Sequence, residues 1–175
     1  MNSQLINLIG AAAIAISDSI ENAACETTEN TASFPAALVI IERYPKITVD
    51  LLAQYLQLSQ SGAVRLVERL VNQKLVERHQ GNDRRFVHLQ VTQAGKAMVE
   101  EIQQAKVKAV SNLLEPLTKQ EQQQLLNLLS KIAGQYSNTE IVEEYICRFC
   151  DINQCPLSIC KERLGFDGSD VPTLL

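Results

Sequence analysis

Apolar positions recur along this chain with two periods, and the switch between them falls inside residues 48–92. Residues 49–56 carry a helical pattern, with Thr48 placed to cap the first amides. Leu58 and Ser59 make a turn, and Ser59 can cap a second helix that runs to about Gln73. On that helix Ala63, Leu66, Val67 and Leu70 fall at i, i+3, i+4 and i+7, which predicts one buried stripe. After Lys74 the period drops to two. Leu75 and Val76 form one short strand; in residues 86–91, Phe86, His88 and Gln90 alternate with Val87, Leu89 and Val91 to form another. Residues 79–85 between them are a polar, cationic turn.

The flanks are helical. Residues 3–24 are apolar on more than one face, so a partner must cover them, either this chain's own core or a dimer seam. Residues 33–44 form a third apolar helix, with Ser33 as cap, Pro35 near its start and Pro45 ending it. Residues 92–114 form a long helix, broken at Pro116. Thr118 and Glu121 make a capping box that opens another helix, to about Tyr136, striped by Leu125, Leu128, Leu129 and Ile132. Two long helices cannot hide both stripes on so small a domain, and the surplus implies a subunit interface. The chain divides into an N-terminal dimerisation helix (1–32), a helix–turn–helix–hairpin unit (33–92), long dimerisation helices (93–137) and a cysteine-rich tail (138–175). Residues 134–138 serve as linker, and Thr139 caps a helix to about Phe149.

With 175 residues, 46% of them hydrophobic, there is material for one good core and an appendage. The net charge is −4, yet between Ser59 and Thr92 Arg65, Arg69, Lys74, Arg78, Arg84 and Arg85 face only Glu68, Glu77 and Asp83. A basic island on an acidic chain, beside the short polar groups Ser59, Gln60 and Ser61, suits phosphates and base edges. The apolar run 5–16 is shorter than the roughly 18–20 residues a membrane span needs, and it lacks the basic flank and cleavage site of a signal peptide. The expectation is a cytoplasmic protein with no membrane partner. His79 and His88 are isolated, and no nucleophile–base–orienter trio, paired carboxylates or phosphate-cradling loop can be assembled, so an enzyme is not expected.

Leu75-Val76-Glu77-Arg78, Asp83-Arg84-Arg85 and Leu89-x-Val91-Thr92-x-x-Gly95 resemble the MarR (multiple-antibiotic-resistance regulator) family over roughly residues 34–136. The resemblance implies a mainly α-helical fold with a small β-wing, a winged helix-turn-helix dimerised through its N- and C-terminal helices. It implies a homodimer, expected to repress, on a palindromic double-stranded DNA operator, with a small-molecule effector between the dimer helices and the DNA-binding lobe. Carried over by position, Ser59, Gln60, Ser61 and Arg65 face the major groove, Arg84 or Arg85 enters the minor groove, and Asp83 orients a neighbouring arginine. Arg69 lies on the same polar helix face. The family usually has glycine where this chain has Lys74.

Cys147, Cys150, Cys155 and Cys160 are spaced C-x2-C-x4-C-x4-C. Four thiols this close in an intracellular chain point to sulfur coordination of zinc or an iron–sulfur cluster. The spacing is that of a retroviral zinc knuckle with Cys for His, which leans to zinc; a sensory role leans to iron–sulfur. A thiol–disulfide switch and incidental cysteines are the other readings. From Ser137 onward there are seven acids against three bases, so the tail should stay off the phosphate backbone. Cys25 is placed in a polar loop and given no role. The alternative function is a thiol-based redox sensor or metal-handling protein that uses the winged domain for protein contacts.

Overall fold

The computed structural model describes residues 2–80, 87–133, 144–151 and 154. Its elements in order are α1 (Ser3–Thr28), α2 (Ser33–Arg43), α3 (Val49–Tyr55), α4 (Gln60–Asn72), β1 (Val76–Gln80), β2 (Val87–Val91), α5 (Gln93–Leu114) and α6 (Lys119–Ala133). This is the expected class, mainly helical with one two-stranded antiparallel sheet.

The core gathers on α2, which touches α1, α3, α4, α5 and β2. Phe34, Leu38, Ile40 and Ile41 of α2 are wholly buried, with Leu52 and Tyr55 of α3, Val67 and Leu70 of α4, and Leu89 of β2. Each such side chain removed from water contributes about 1.5–3 kcal/mol. Thr48, Ser59 and Thr92 cap α3, α4 and α5 by accepting from Leu51 N, Gly62 N and Gly95 N. In the capping box of α6, Thr118 N donates to Glu121 Oε2 (2.8 Å) and Glu121 N donates to Thr118 Oγ1 (3.3 Å).

β1 and β2 pair from Val76↔Val91 to Gln80↔Val87, and Ile47 adds a bridge to Leu89. His79 and Gln80, expected in the turn, are therefore strand residues: cross-strand pairing outweighs their turn-like composition. The base of this hairpin fits tightly onto α5. A Cβ on Gly95 would lie 2.1 Å from the Leu75 carbonyl oxygen, so only glycine allows that approach. Lys74 has φ 58°, the left-handed conformation that glycine takes without strain.

Three expectations need correcting. α1 runs four residues past Ala24, to Thr28, which places Cys25 in its last turn and not in a loop. The C-terminal end closes where Glu29 turns left-handed (φ 51°) and its N–H reaches back to Cys25 O and Glu26 O. Ser33 is not a cap: Ala32 holds that position, with no side-chain hydrogen bond. The third concerns length. α1 has 26 residues and a mean hydropathy of 1.3 over its most apolar stretch, enough by length and composition to cross a membrane. Small residues and isolated serines dilute the pattern, so counting uninterrupted apolar runs undervalues it. α1 nevertheless packs along α5.

Candidate nucleic-acid interface

Burial of Ala63, Leu66, Val67 and Leu70 fixes how α4 is turned on the core. That leaves Ser59, Gln60, Ser61 and Arg65 exposed together on and before its first two turns. The Ser59 and Ser61 hydroxyls lie 3.4 Å apart, and Gln60 donates to the Asp50 carboxylate on α3, so the two helices share one polar edge. Arg69, a turn and more along, is also exposed but directed elsewhere. Its guanidinium donates to Asn30 and lies over the Phe34 ring, 5.3 Å from the centroid. Asp83, Arg84 and Arg85 fall outside the described residues. The wing's base is well fixed: His88 Nδ1 donates to Lys46 O (2.6 Å) and Leu89 N to Ile47 O (2.9 Å). His79 faces solvent, 3.4 Å from Glu77.

A short helix, a capped second helix with an exposed polar edge and an adjoining hairpin make the geometry of groove recognition. Residues 35–85 match the family model described as MarR family. Over that segment, the helix-turn-helix and the start of the hairpin, the chain carries the MarR-family pattern. MarR from E. coli in its apo form is similar at 26% identity, covering 70% of this chain and 94% of that one, with a TM-score of 0.62. The reduced form of MarR from E. coli aligns at 27% identity over 75% of this chain and 96% of that one, with a TM-score of 0.59. Rv1404 from Mycobacterium tuberculosis shares the fold at 20% identity, covering 79% and 97% of the two chains, with a TM-score of 0.69. No curated protein matches the chain. The MarR-type segment and the shared fold support a DNA-binding transcriptional regulator.

Against that MarR frame the cysteine-bearing segment stands out. Residues 144–150 are not a loose appendage; they dock where α1, α2 and α5 meet, with Phe149 in the core. Arg43, its side chain 4% exposed, donates Nη1 to Glu144 Oε2 (2.9 Å) and Nη2 to the carbonyls of Cys147 (2.9 Å) and Cys150 (2.7 Å). Tyr44 Oη donates to Glu144 Oε1 (2.6 Å), while Lys106 Nζ (2.9 Å) and Gln103 Nε2 (3.4 Å) donate to Phe149 O. Arg148 ties the segment to α1 through Glu21 and lies over the rings of Tyr145 (4.4 Å) and Phe149 (5.5 Å). An arginine buried this deeply needs all its partners, and removing one partner of such a pair costs about 3–5 kcal/mol.

The Cys147 thiol donates to the sulfur of Cys150, and with Lys106 and Arg43 nearby this holds the Cys150 thiol down to about 6 against partial desolvation. Burial, then Glu21, pushes the Cys25 thiol up. Burial pulls Lys106 down and, with Glu144, pushes Tyr44 up. Cys147 and Cys150 thus supply two neighbouring sulfurs; Cys155 and Cys160 lie outside the described residues, among which no three metal-ligating side chains converge. Sequence reasoning passed over Arg43, Tyr44, Lys106 and Glu144. The only hint was Arg43 itself, three and four residues after Ile40 and Val39 on a helix with almost no polar face.

Proposed function

We propose that this chain acts as a homodimer on a palindromic operator, repressing transcription, with a C-terminal four-cysteine site that binds a metal or responds to oxidants. The observation that carries the DNA-binding half is the polar edge of α4, where Ser59, Gln60, Ser61 and Arg65 stand exposed opposite a wholly committed apolar stripe. Two copies explain the exposed apolar faces: Leu5, Leu8 and Ile9 of α1 and Leu126, Leu128 and Leu129 of α6 are each 45–65% exposed. Pairing them would hold two α4 helices one DNA turn apart. A cavity of about 540 Å³, lined by residues including Val39, Glu42, Val99 and Glu100, suits a small-molecule effector between dimer helices and winged lobe.

In a mobility-shift assay, duplex from the protein's own promoter region should bind with affinity that falls steeply as salt rises. Arg65→Ala should cost about 1–3 kcal/mol at one base position and relax discrimination there. Arg84→Ala or Arg85→Ala should weaken all sequences alike. Absence of salt-sensitive binding overturns this reading.

The second reading, a thiol redox or metal-handling protein, is favoured by one observation: the hydrogen-bonded Cys147–Cys150 pair with its lowered thiol. It predicts that Cys→Ser changes abolish activity while Arg65→Ala does nothing. Elemental analysis and an absorbance spectrum of anaerobically purified protein separate zinc, iron–sulfur and bare thiols.

A further inference from the structure

Three carbonyls of one turn, those of Cys147, Phe149 and Cys150, are gathered by Arg43, Lys106 and Gln103, and these partners sit on two different helices. Arg43 and Tyr44 end α2, which belongs to the winged lobe; Lys106 and Gln103 belong to α5, which runs away from it. Residues 144–150 are therefore a strut between two bodies of the fold.

Its foot in the winged lobe is well connected. The Tyr44 ring lies 5.5 Å from Tyr55 of α3, and Tyr44 O accepts from Ile47 N (3.0 Å). Ile47 is bridged to Leu89 in the wing, and the Lys46 carbonyl takes His88 Nδ1. Lys46 itself sits at φ 108°, a conformation L side chains rarely adopt, so this corner is held by its neighbours and not by local preference. A shift at Glu144 reaches the first helix of the DNA-reading pair through two contacts and the wing's base through three.

We infer that residues 144–150 act as a built-in effector, a tethered peptide whose docking on Arg43, Tyr44 and Lys106 braces the DNA-reading lobe against α1 and α5. Bracing sets the lobe's orientation before DNA arrives, so less freedom is lost on binding. Any change at Cys147 or Cys150 that reshapes the turn carrying those carbonyls loosens the brace. The inference rests on the regulator reading above but not on which chemistry the thiols perform.

The test uses full-length protein in three forms: wild type, Glu144→Gln with Lys106→Met, and Tyr44→Phe. Hydrogen–deuterium exchange reports on residues 144–150, 46–48 and 87–91, and fluorescence anisotropy on affinity for promoter duplex. The double variant should exchange faster at all three segments and bind DNA at least about fivefold more weakly, the lower end of ordinary coupling between sites. Tyr44→Phe, which keeps the ring and loses one hydroxyl, should move all three segments in the same direction by less, and it decides the matter if the double variant unfolds. Faster exchange at 144–150 without change at 46–48, or with DNA affinity within twofold of wild type, overturns the inference. If wild type itself shows no salt-sensitive DNA binding, the regulator reading falls instead, and the exchange pattern alone decides whether the brace exists.

Discussion

Leu52 in α3 and Leu129 in α6 are the same residue on the same kind of amphipathic helix, yet Leu52 is fully buried and Leu129 is 52% exposed. The winged lobe closes its core within one chain, around α2. The lobe of α1, α5 and α6 does not: α6 buries nothing, and α1 buries only Ala24 and Thr28. Identical periodicity has two outcomes because burial depends on what lies opposite. The first lobe is a domain; the second leaves its apolar faces open.

The sharpest way to break this contrast is to place a charge in each lobe. Leu52→Asp should abolish cooperative unfolding, since an unpaired buried charge exceeds what a small domain can absorb. Leu129→Asp should leave the far-ultraviolet helix signal intact, halve the mass in sedimentation and weaken DNA binding by about 10²–10⁴ through lost bivalency. Should sedimentation show a monomer before any substitution, the proposed pairing of those faces fails.

Gly95→Ala probes the joint between the lobes. The added methyl meets the Leu75 carbonyl, and a loss of about 1–3 kcal/mol should appear in denaturant melts. A fully tolerated alanine would mean that α5 rides loosely on the wing.

The seam can also be titrated. In reduced, metal-stripped protein, alkylation of Cys150 should reach half its plateau near pH 6, because its thiol is held at about 6 against an ordinary 9.0. A depressed folded value stabilises the native state fully above the unfolded value and progressively less as pH falls toward 6. The same protein should therefore lose stability between pH 9 and 6. Cys25, shifted the other way, should alkylate slowly throughout. Equal rates at neutral pH would contradict the docked geometry.

The smallest effect belongs to Lys74→Gly. Relieving a left-handed lysine should raise stability by up to about 1 kcal/mol, roughly 2–4 °C in Tm.

What could be read in advance follows the range of the forces involved. Thr48, Ser59 and Thr118 as caps, and the stripe on α4, are set by neighbours three or four residues away, and all appear as expected. Ser33 looked equally suited to cap α2, but the helix begins without a side-chain cap because burial on both sides of it suffices. The seat of the cysteine segment was not legible. Arg43 and Glu144 are about a hundred residues apart in sequence, and nothing in either neighbourhood announces the other. The departure at Lys74 was visible beforehand, and the left-handed backbone there shows why glycine suits that turn.

The separation of α1 from its packing partner has a consequence for how each copy is made. Gln93, where α5 starts, follows Thr28 by 65 positions. At a synthesis rate of roughly 5–20 residues per second, an apolar rod stands outside the ribosome for about 3–13 s before α5 can shelter it. Every nascent molecule passes through that interval with most of the apolar surface of α1 facing water.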